Sequence, residues 1–223
     1  AEVRLRTVLA LGAAAGVGAA SGALWASSGA PVWAAALAAP ETKAFWYANR
    51  STGWVSYGLL WLATCLGVSL SGRLTRGSTA AVLAELHRFS AGLALVFLGA
   101  HALALLGDRY VQPDGADILV PFRFPERTAW VGLGQLAAYL AAAVYGSSWV
   151  RRRTGYRFWR GLHYAAFGAY GLGTVHLLGA GTDVGPATGT AVAASAAVVA
   201  VLLGLRTWDG SARRASRGEV TGR

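Results

Sequence analysis

The sequence predicts an all-α integral membrane protein, a six-helix bundle with both termini in the cytoplasm. Hydrophobic residues make up 55% of the 223 residues and charged residues only 13%, which is typical of a membrane domain rather than a soluble one. Six apolar stretches each approach the roughly 20 residues that a transmembrane helix needs. The Lys and Arg residues are also concentrated in the segments that fall on one side of such a bundle.

The predicted spans are separated by clusters of Pro, Gly and charged residues, and they cover roughly residues 6–27, 52–71, 82–106, 128–149, 158–179 and 187–205. A secretory signal is the alternative for the first span, whose Ala- and Gly-rich composition suits one but whose length favours a full span. Residues 29–50 are predicted to lie at the membrane surface, because Trp33, Trp46 and Tyr47 are of the aromatic type enriched there.

The loop at residues 108–127 contains three prolines and is expected to pack against the bundle without forming a helix. The spans are expected to form one transmembrane domain at residues 1–206. A basic cytoplasmic tail at residues 207–223 is expected to follow.

The net charge of +10 is explained by membrane topology. With both termini inside, 15 of the 20 Lys and Arg residues lie in cytoplasmic segments, and the other five lie outside: Lys43, Arg50, Arg109, Arg123 and Arg127. We therefore expect a lipid bilayer, and not nucleic acid, as the partner of this basic chain. The single cysteine, Cys65, has no second cysteine with which to form an internal disulfide.

The four histidines form two pairs of nearly equal spacing within apolar segments. His87 and His101 are 14 residues apart and His163 and His176 are 13 apart, which corresponds to about 20 Å along a helix. The third and fifth spans run in the same direction, because one helix separates them. His87 and His163 are therefore predicted to lie near the cytoplasmic side, and His101 and His176 near the outer side.

Paired imidazoles at two depths point to metal cofactors. An ionisable residue inside a membrane is costly, and neutral imidazole is a common metal ligand. A non-haem metal normally takes three or more protein ligands, whereas a planar macrocycle needs only two axial ones. Two axial imidazoles leave no open position at the iron, which favours electron transfer.

The 13-residue spacing fits this arrangement less well than the 14-residue spacing. It corresponds to about 3.6 helical turns, against about 3.9 for the other pair, so two rings of one helix would face different directions. We expect Gly168, Gly171 and Gly173, which lie between His163 and His176, to permit a local distortion.

Two alternatives use the same histidines differently. In a transporter or a structural bundle they relay protons or pack without haem, but no span centre carries Asp, Glu, Lys or Arg, which disfavours a transporter. The second alternative is a membrane cytochrome of the ascorbate-reducible cytochrome b family, which binds two haems through paired histidines distributed over four helices. Here they lie on two.

The segments around the histidines resemble the ferric reductase-like transmembrane domain. This domain is the haem-bearing membrane portion of NADPH oxidases, ferric reductases and the membrane subunit of the bacterial periplasmic methionine sulfoxide reductase system. The resemblance spans about residues 45–183 and rests on five segments: Leu86-His87-Arg88 through His101, Arg157 to His163, His176 before Gly181-Thr182-Asp183, Arg50-Ser51-Thr52-Gly53, and Val120-Pro121-Phe122.

The resemblance implies a b-type cytochrome with two haems. His87 and His163 would be the iron ligands of the cytoplasmic haem, and His101 and His176 those of the outer haem. Haem propionates are anionic, so nearby arginines are candidate partners, with topology signals and snorkelling charges as the alternative interpretation. The candidates are Arg88 and Arg160 inside, and Arg50, Arg123 or Arg127 outside.

The resemblance also implies that electrons cross from inside to outside in a bacterial cytoplasmic membrane. In the oxidases and reductases a flavin- and nicotinamide-binding domain follows the last span, whereas only 18 residues follow Leu205 here. We therefore expect no such domain in this chain, a separate flavoprotein or a quinol as donor, and an oxidoreductase or a subunit of one. Ferric iron, dioxygen, a quinone and a periplasmic or extracellular protein all stay open as acceptors.

Overall fold

The computed structural model describes residues 43–71, 77–182 and 184–221, with side chains as far as Trp208. This part of the chain is helical and contains no strand, which confirms the all-α class for the described residues. Three predicted features lie wholly or partly outside the described residues: the first span, the surface stretch before residue 43, and the side chains of the basic tail beyond Trp208.

Seven helices make up the described part of the chain: α1 (Ala44–Ser71), α2 (Gly77–Leu105), α3 (Gly115–Leu119), α4 (Thr128–Thr154), α5 (Tyr156–His163), α6 (Ala165–Ala180) and α7 (Pro186–Thr221). Helix α1 begins before the predicted span, so Trp46, Tyr47 and Arg50 belong to it rather than to a separate surface stretch. Helix α7 runs past the end of the predicted span and through most of the tail.

Four helical segments are long and apolar enough to cross a membrane: α1, α2, α4 and the Pro186–Trp208 part of α7. They correspond to the second, third, fourth and sixth predicted spans. The total of six spans and the cytoplasmic position of both termini stay predictions.

The predicted continuous span at residues 158–179 is wrong in one respect, because the helix is interrupted at Tyr164. Helix α5 ends at His163 and α6 begins at Ala165. The Tyr164 amide donates to the Gly161 carbonyl at 3.2 Å, and the Phe167 amide donates to the Tyr164 carbonyl at 3.1 Å. These i to i+3 bonds are tighter than α-helical ones.

The interruption lies between His163 and His176, whose spacing is the shorter of the two. We expected the distortion at the three glycines between the histidines, but α6 runs through all of them without a break. The change occurs directly after His163 instead, so His163 and His176 stand on separate helices. The 13-residue spacing therefore does not fix the relative direction of their rings.

The exterior of the helices is strongly apolar. Val96 and Leu103 on α2 are each 66% exposed, and Val201 on α7 is 60% exposed. The buried positions between helices include small residues such as Ala63 and Ala169. Small residues inside and large apolar residues outside are the arrangement expected of helices in lipid, so the chain is an integral membrane protein.

A polar cluster joins α1, α6 and α7 in their middle turns. The Tyr57 hydroxyl lies 2.8 Å from Ser195 Oγ and 3.3 Å from Thr174 Oγ1, and the Trp61 indole donates to the Ser195 carbonyl at 3.0 Å. The Tyr170 hydroxyl lies 3.1 Å from Ser195 Oγ, and its ring stacks on Tyr57. These bonds satisfy polar groups that would otherwise be costly inside a bilayer.

The loop after α2 contains a short helix, contrary to the prediction of an irregular segment. Asp114 caps α3 by accepting the Asp117 amide at 2.7 Å, while the Asp114 amide donates to the Asp117 carboxylate at 3.0 Å. This is a capping box, which satisfies two amides at the helix start. The Gln135 side chain on α4 donates to the carbonyls of Asp117 and Ile118, so the loop is attached to the bundle as predicted.

Candidate functional site

His87 on α2 and His163 at the end of α5 lie together and form what we call the inner pair. Their ring centroids are 6.0 Å apart and the ring planes are inclined by 68°. His87 is held by α1, where its Nδ1–H donates to the Ala63 carbonyl at 2.8 Å. The two rings therefore face each other from different helices.

His101 on α2 and His176 on α6 form the outer pair, with ring centroids 6.2 Å apart and planes inclined by 78°. The His101 Nδ1–H donates to the Asn49 carbonyl at 2.8 Å, and the Asn49 side-chain amide donates back to the His101 carbonyl at 3.0 Å. The His176 Nδ1–H donates to the Trp130 carbonyl at 2.9 Å. The histidines thus pair across helices, which is the pairing expected from the parallel direction of the two spans.

These hydrogen bonds fix the tautomer of three rings. A carbonyl can only accept, so the proton of each of these neutral imidazoles lies on Nδ1 and the lone pair is left on Nε2. In a metal-ligating histidine, the ring nitrogen that does not bind the metal usually donates to a carbonyl or carboxylate. This hydrogen bond orients the ring and raises the basicity of the ligating nitrogen.

His163 differs from the other three. Its Nδ1 is buried and has no hydrogen-bond partner among the described residues. Its ring stacks on Trp159 one turn earlier, with centroids 4.9 Å apart and planes inclined by 27°. The guanidinium of Arg151, on α4, lies 5.0 Å from the centre of the Trp159 ring. Stacking rather than hydrogen bonding holds this ring.

The donor set of each pair fits a planar metal macrocycle. Two imidazole nitrogens at about 2.0–2.1 Å from a shared metal place their ring centres about 6 Å apart, which agrees with both pairs. The described residues contain no group of three or more His, Cys, Asp or Glu that could hold a bare ion. A macrocycle supplies the remaining ligands itself, so two histidines per layer suffice.

The predicted propionate partners are found in several different surroundings. Arg88 is exposed and pairs with Glu85, and the Arg50 guanidinium lies 3.7 Å from the centre of the Trp46 ring. Arg160 is exposed and lies near Tyr164, whose hydroxyl accepts a hydrogen bond from Arg206 at 3.1 Å. Arg127 donates to the Gly179 carbonyl at 2.9 Å, which joins the loop to the end of α6. Their role toward a cofactor stays a prediction.

Arg123 is engaged within the loop. Its guanidinium contacts the Asp114 carboxylate at 3.2 Å and the Asp117 carboxylate at 3.0 Å. The hydrogen bond from the Asp117 amide, helped by the Arg123 charge, lowers the pKa of Asp114 below its ordinary value. The loop is therefore held together by one arginine between two carboxylates on the side of the outer pair.

The lowered pKa predicts a pH dependence for this loop. A carboxyl whose folded pKa is depressed stabilises the folded loop above the ordinary aspartate pKa of about 3.9, and this contribution is lost as the pH falls below it. We expect amide exchange of residues 114–119, corrected for the intrinsic rate, to increase as the pH falls through this range. Asp114→Asn should make exchange faster at neutral pH and remove most of the change with pH.

Sequence reasoning found the four histidines but missed the residues that hold them. Asn49, Ala63 and Trp130 act through backbone carbonyls, which no side-chain pattern reveals. Trp159 carries a weak signal, since it lies four residues before His163 and so on the same helix face.

The described helices define a helical membrane protein in which histidines pair across helices at two levels. A family model described as the ferric reductase like transmembrane component matches residues 52–174, more than half of the chain. The chain belongs to this family. The match includes His87, His101 and His163, and ends two residues before His176. Comparison with curated proteins and with solved structures gave no match.

Proposed function

We propose that the protein is a b-type membrane cytochrome with two haems, one between His87 and His163 and the other between His101 and His176. The observation that carries the proposal is the presence of two cross-helix imidazole pairs with ring centres 6.0 and 6.2 Å apart. Membership of the ferric reductase-like family supports a membrane electron-transfer role and a haem cofactor.

The chain's own residues orient the ligands. The carbonyls of Ala63, Asn49 and Trp130 hold three protons on Nδ1, which directs the Nε2 lone pairs of these rings toward the cofactor. When bound, haem would supply one-electron chemistry, with His87 and His163 holding one iron and His101 and His176 the other. The surrounding apolar helices exclude water from the space around the imidazole rings.

Electrons pass from the inner pair to the outer pair. The 14-residue spacing of His87 and His101 corresponds to about 20 Å along α2, so the two layers together cover most of a hydrocarbon core of about 30 Å. The excess of Lys and Arg on the side of His87 supports a cytoplasmic position for that side, in what we propose is a bacterial cytoplasmic membrane. The donor is a quinol or a flavoprotein, and the acceptor is ferric iron, dioxygen, a quinone or a protein outside.

Arginines at each layer neutralise the propionates. Arg50 and Arg127 serve the outer haem and Arg88 and Arg160 the inner one, through charge-assisted hydrogen bonds. Arg127 directly precedes α4 and Arg50 lies in the second turn of α1, positions that suit a cofactor whose carboxylates point toward the membrane surface.

The proposal is tested by the absorption spectrum and haem content of protein purified from haem-replete cells. We expect reduced-minus-oxidised bands of a low-spin b haem and two haems per chain. Protein without haem would contradict the proposal, and pH-dependent flux in vesicles of that protein would favour the alternative in which the histidines relay protons. One haem per chain would reject the two-site arrangement.

A further inference from the structure

Three of the four imidazole rings lie against a glycine of the neighbouring helix. A Cβ atom placed on Gly134 of α4 would stand 2.5 Å from His176 Nδ1, and one on Gly53 of α1 would stand 2.9 Å from His101 Nδ1. A Cβ on Gly67, further along α1, would stand 3.2 Å from His87 Cε1. The first two separations are closer than real side chains approach, and the third is tight.

Each glycine follows the carbonyl that accepts the ring proton by four residues. The first two combinations are the Asn49 carbonyl with Gly53 and the Ala63 carbonyl with Gly67, and the third is the Trp130 carbonyl with Gly134. In an α-helix the Cα–Cβ bond is tilted toward the N-terminus, so the side chain of residue i+4 lies over the carbonyl of residue i. Only a hydrogen atom there leaves room for an imidazole.

The combination of an accepting carbonyl and a glycine four residues later occurs twice along α1, at the same spacing as the histidines. Gly53 and Gly67 are 14 residues apart, and His87 and His101 are also 14 apart on the antiparallel helix α2. Helix α4 has only one such combination of a carbonyl and a glycine, at Trp130 and Gly134. Thirteen or fourteen residues after Gly134 the chain has Ser147 and Ser148, and the buried Ser147 hydroxyl donates to the Val144 carbonyl of its own helix. This agrees with the unpartnered Nδ1 of His163.

We propose that Gly53, Gly67 and Gly134 are positioning residues that admit each imidazole to a helix carbonyl and thereby set the direction and basicity of three of the four haem ligands. His163, which has Trp159 in place of such a carbonyl, is the ligand with the weakest donor character. The proposal rests on the proposed function, since it concerns ligands of the haems. The outer haem then has two carbonyl-bonded ligands and the inner haem only one.

The test compares glycine variants that differ only in what the new methyl group meets. Gly134→Ala and Gly53→Ala place a methyl group against an outer-pair ring, whereas Gly146→Ala and Gly58→Ala place one in open space on the same two helices. We expect the first two variants to bind the outer haem about 10- to 100-fold more weakly or to shift its midpoint potential, with the inner haem unchanged. The two control variants should keep both haems and both potentials.

The inner haem of the same molecule reports whether each variant is folded. Gly67→Ala, with its smaller clash, provides a second test at the inner pair, where we expect a change in the inner haem alone. The proposal is overturned if Gly53→Ala and Gly134→Ala leave the outer haem unaltered, or if the control variants change it equally. These outcomes are distinct from failure of the proposed function, in which the unaltered protein itself holds no haem.

Discussion

Replacing His101 by alanine is expected to remove the outer haem and to leave the inner one in place. His101 faces His176 at 6.2 Å between ring centres, and the described residues contain no other histidine at that level. Without one of two axial ligands, a low-spin b haem cannot be retained in the same form. We expect the haem content to fall from two per chain to one, with loss of one step in a redox titration.

Two further variants make this result specific. His176→Ala should give the same spectrum as His101→Ala, because both rings are proposed to ligate one iron. Leu103 lies on the same helix as His101 but faces outward and is 66% exposed, so Leu103→Ala should keep both haems. If His101→Ala and His176→Ala removed different haems, the rings would be paired differently.

Replacing His163 by alanine is expected to remove the inner haem and to stop electrons from the donor reaching the outer one. His163 faces His87 with ring centres 6.0 Å apart, and under the proposed function this pair receives the electrons first. Dithionite, which reduces any exposed haem, should still reduce the outer haem of this variant. Reduction by a quinol or a reduced flavoprotein should be abolished, as followed by absorbance at the b-haem band.

The control for the inner pair is Trp149→Ala. Trp149 lies at the same end of the bundle and is 78% exposed, so its removal should change neither the haem content nor the rate of donor reduction. If His163→Ala kept normal reduction of the outer haem by the donor, electrons would enter at the outer layer. The proposed direction of transfer would then be wrong.

The broad features of this site were predictable from sequence, because they depend on span order alone. The number of helices between the third and fifth predicted spans determines that His87 meets His163 and that His101 meets His176. Two histidines at each depth then favour a cofactor that needs only two protein ligands. Neither inference requires knowledge of how the helices are rotated.

The features that sequence reasoning missed depend on rotation and register. The break after His163 comes from i to i+3 bonds around Tyr164, and no proline or glycine at that residue signals it. The carbonyl partners of the rings are backbone atoms, so they follow only from how α1 and α4 are aligned with their neighbours. One signal was present, since Gly53 and Gly67 repeat the 14-residue spacing of the histidines.

The short helix in the loop was also recognisable in principle. Asp114 is followed three residues later by Asp117, which is a variant of the capping-box pattern at a helix start. The three prolines of the loop outweighed it in the prediction. They lie outside α3, so they limit its length without preventing it.

The most direct test of the central claim is low-temperature electron paramagnetic resonance of the oxidised protein. The ring planes of the two pairs are inclined by 68° and 78°, and iron between nearly perpendicular imidazoles gives a strongly anisotropic low-spin signal. We predict two such signals, which together account for two irons per chain, with no major high-spin component. A predominant high-spin signal, or a single low-spin iron per chain in haem-replete protein, would contradict the assignment of two bis-histidine haems.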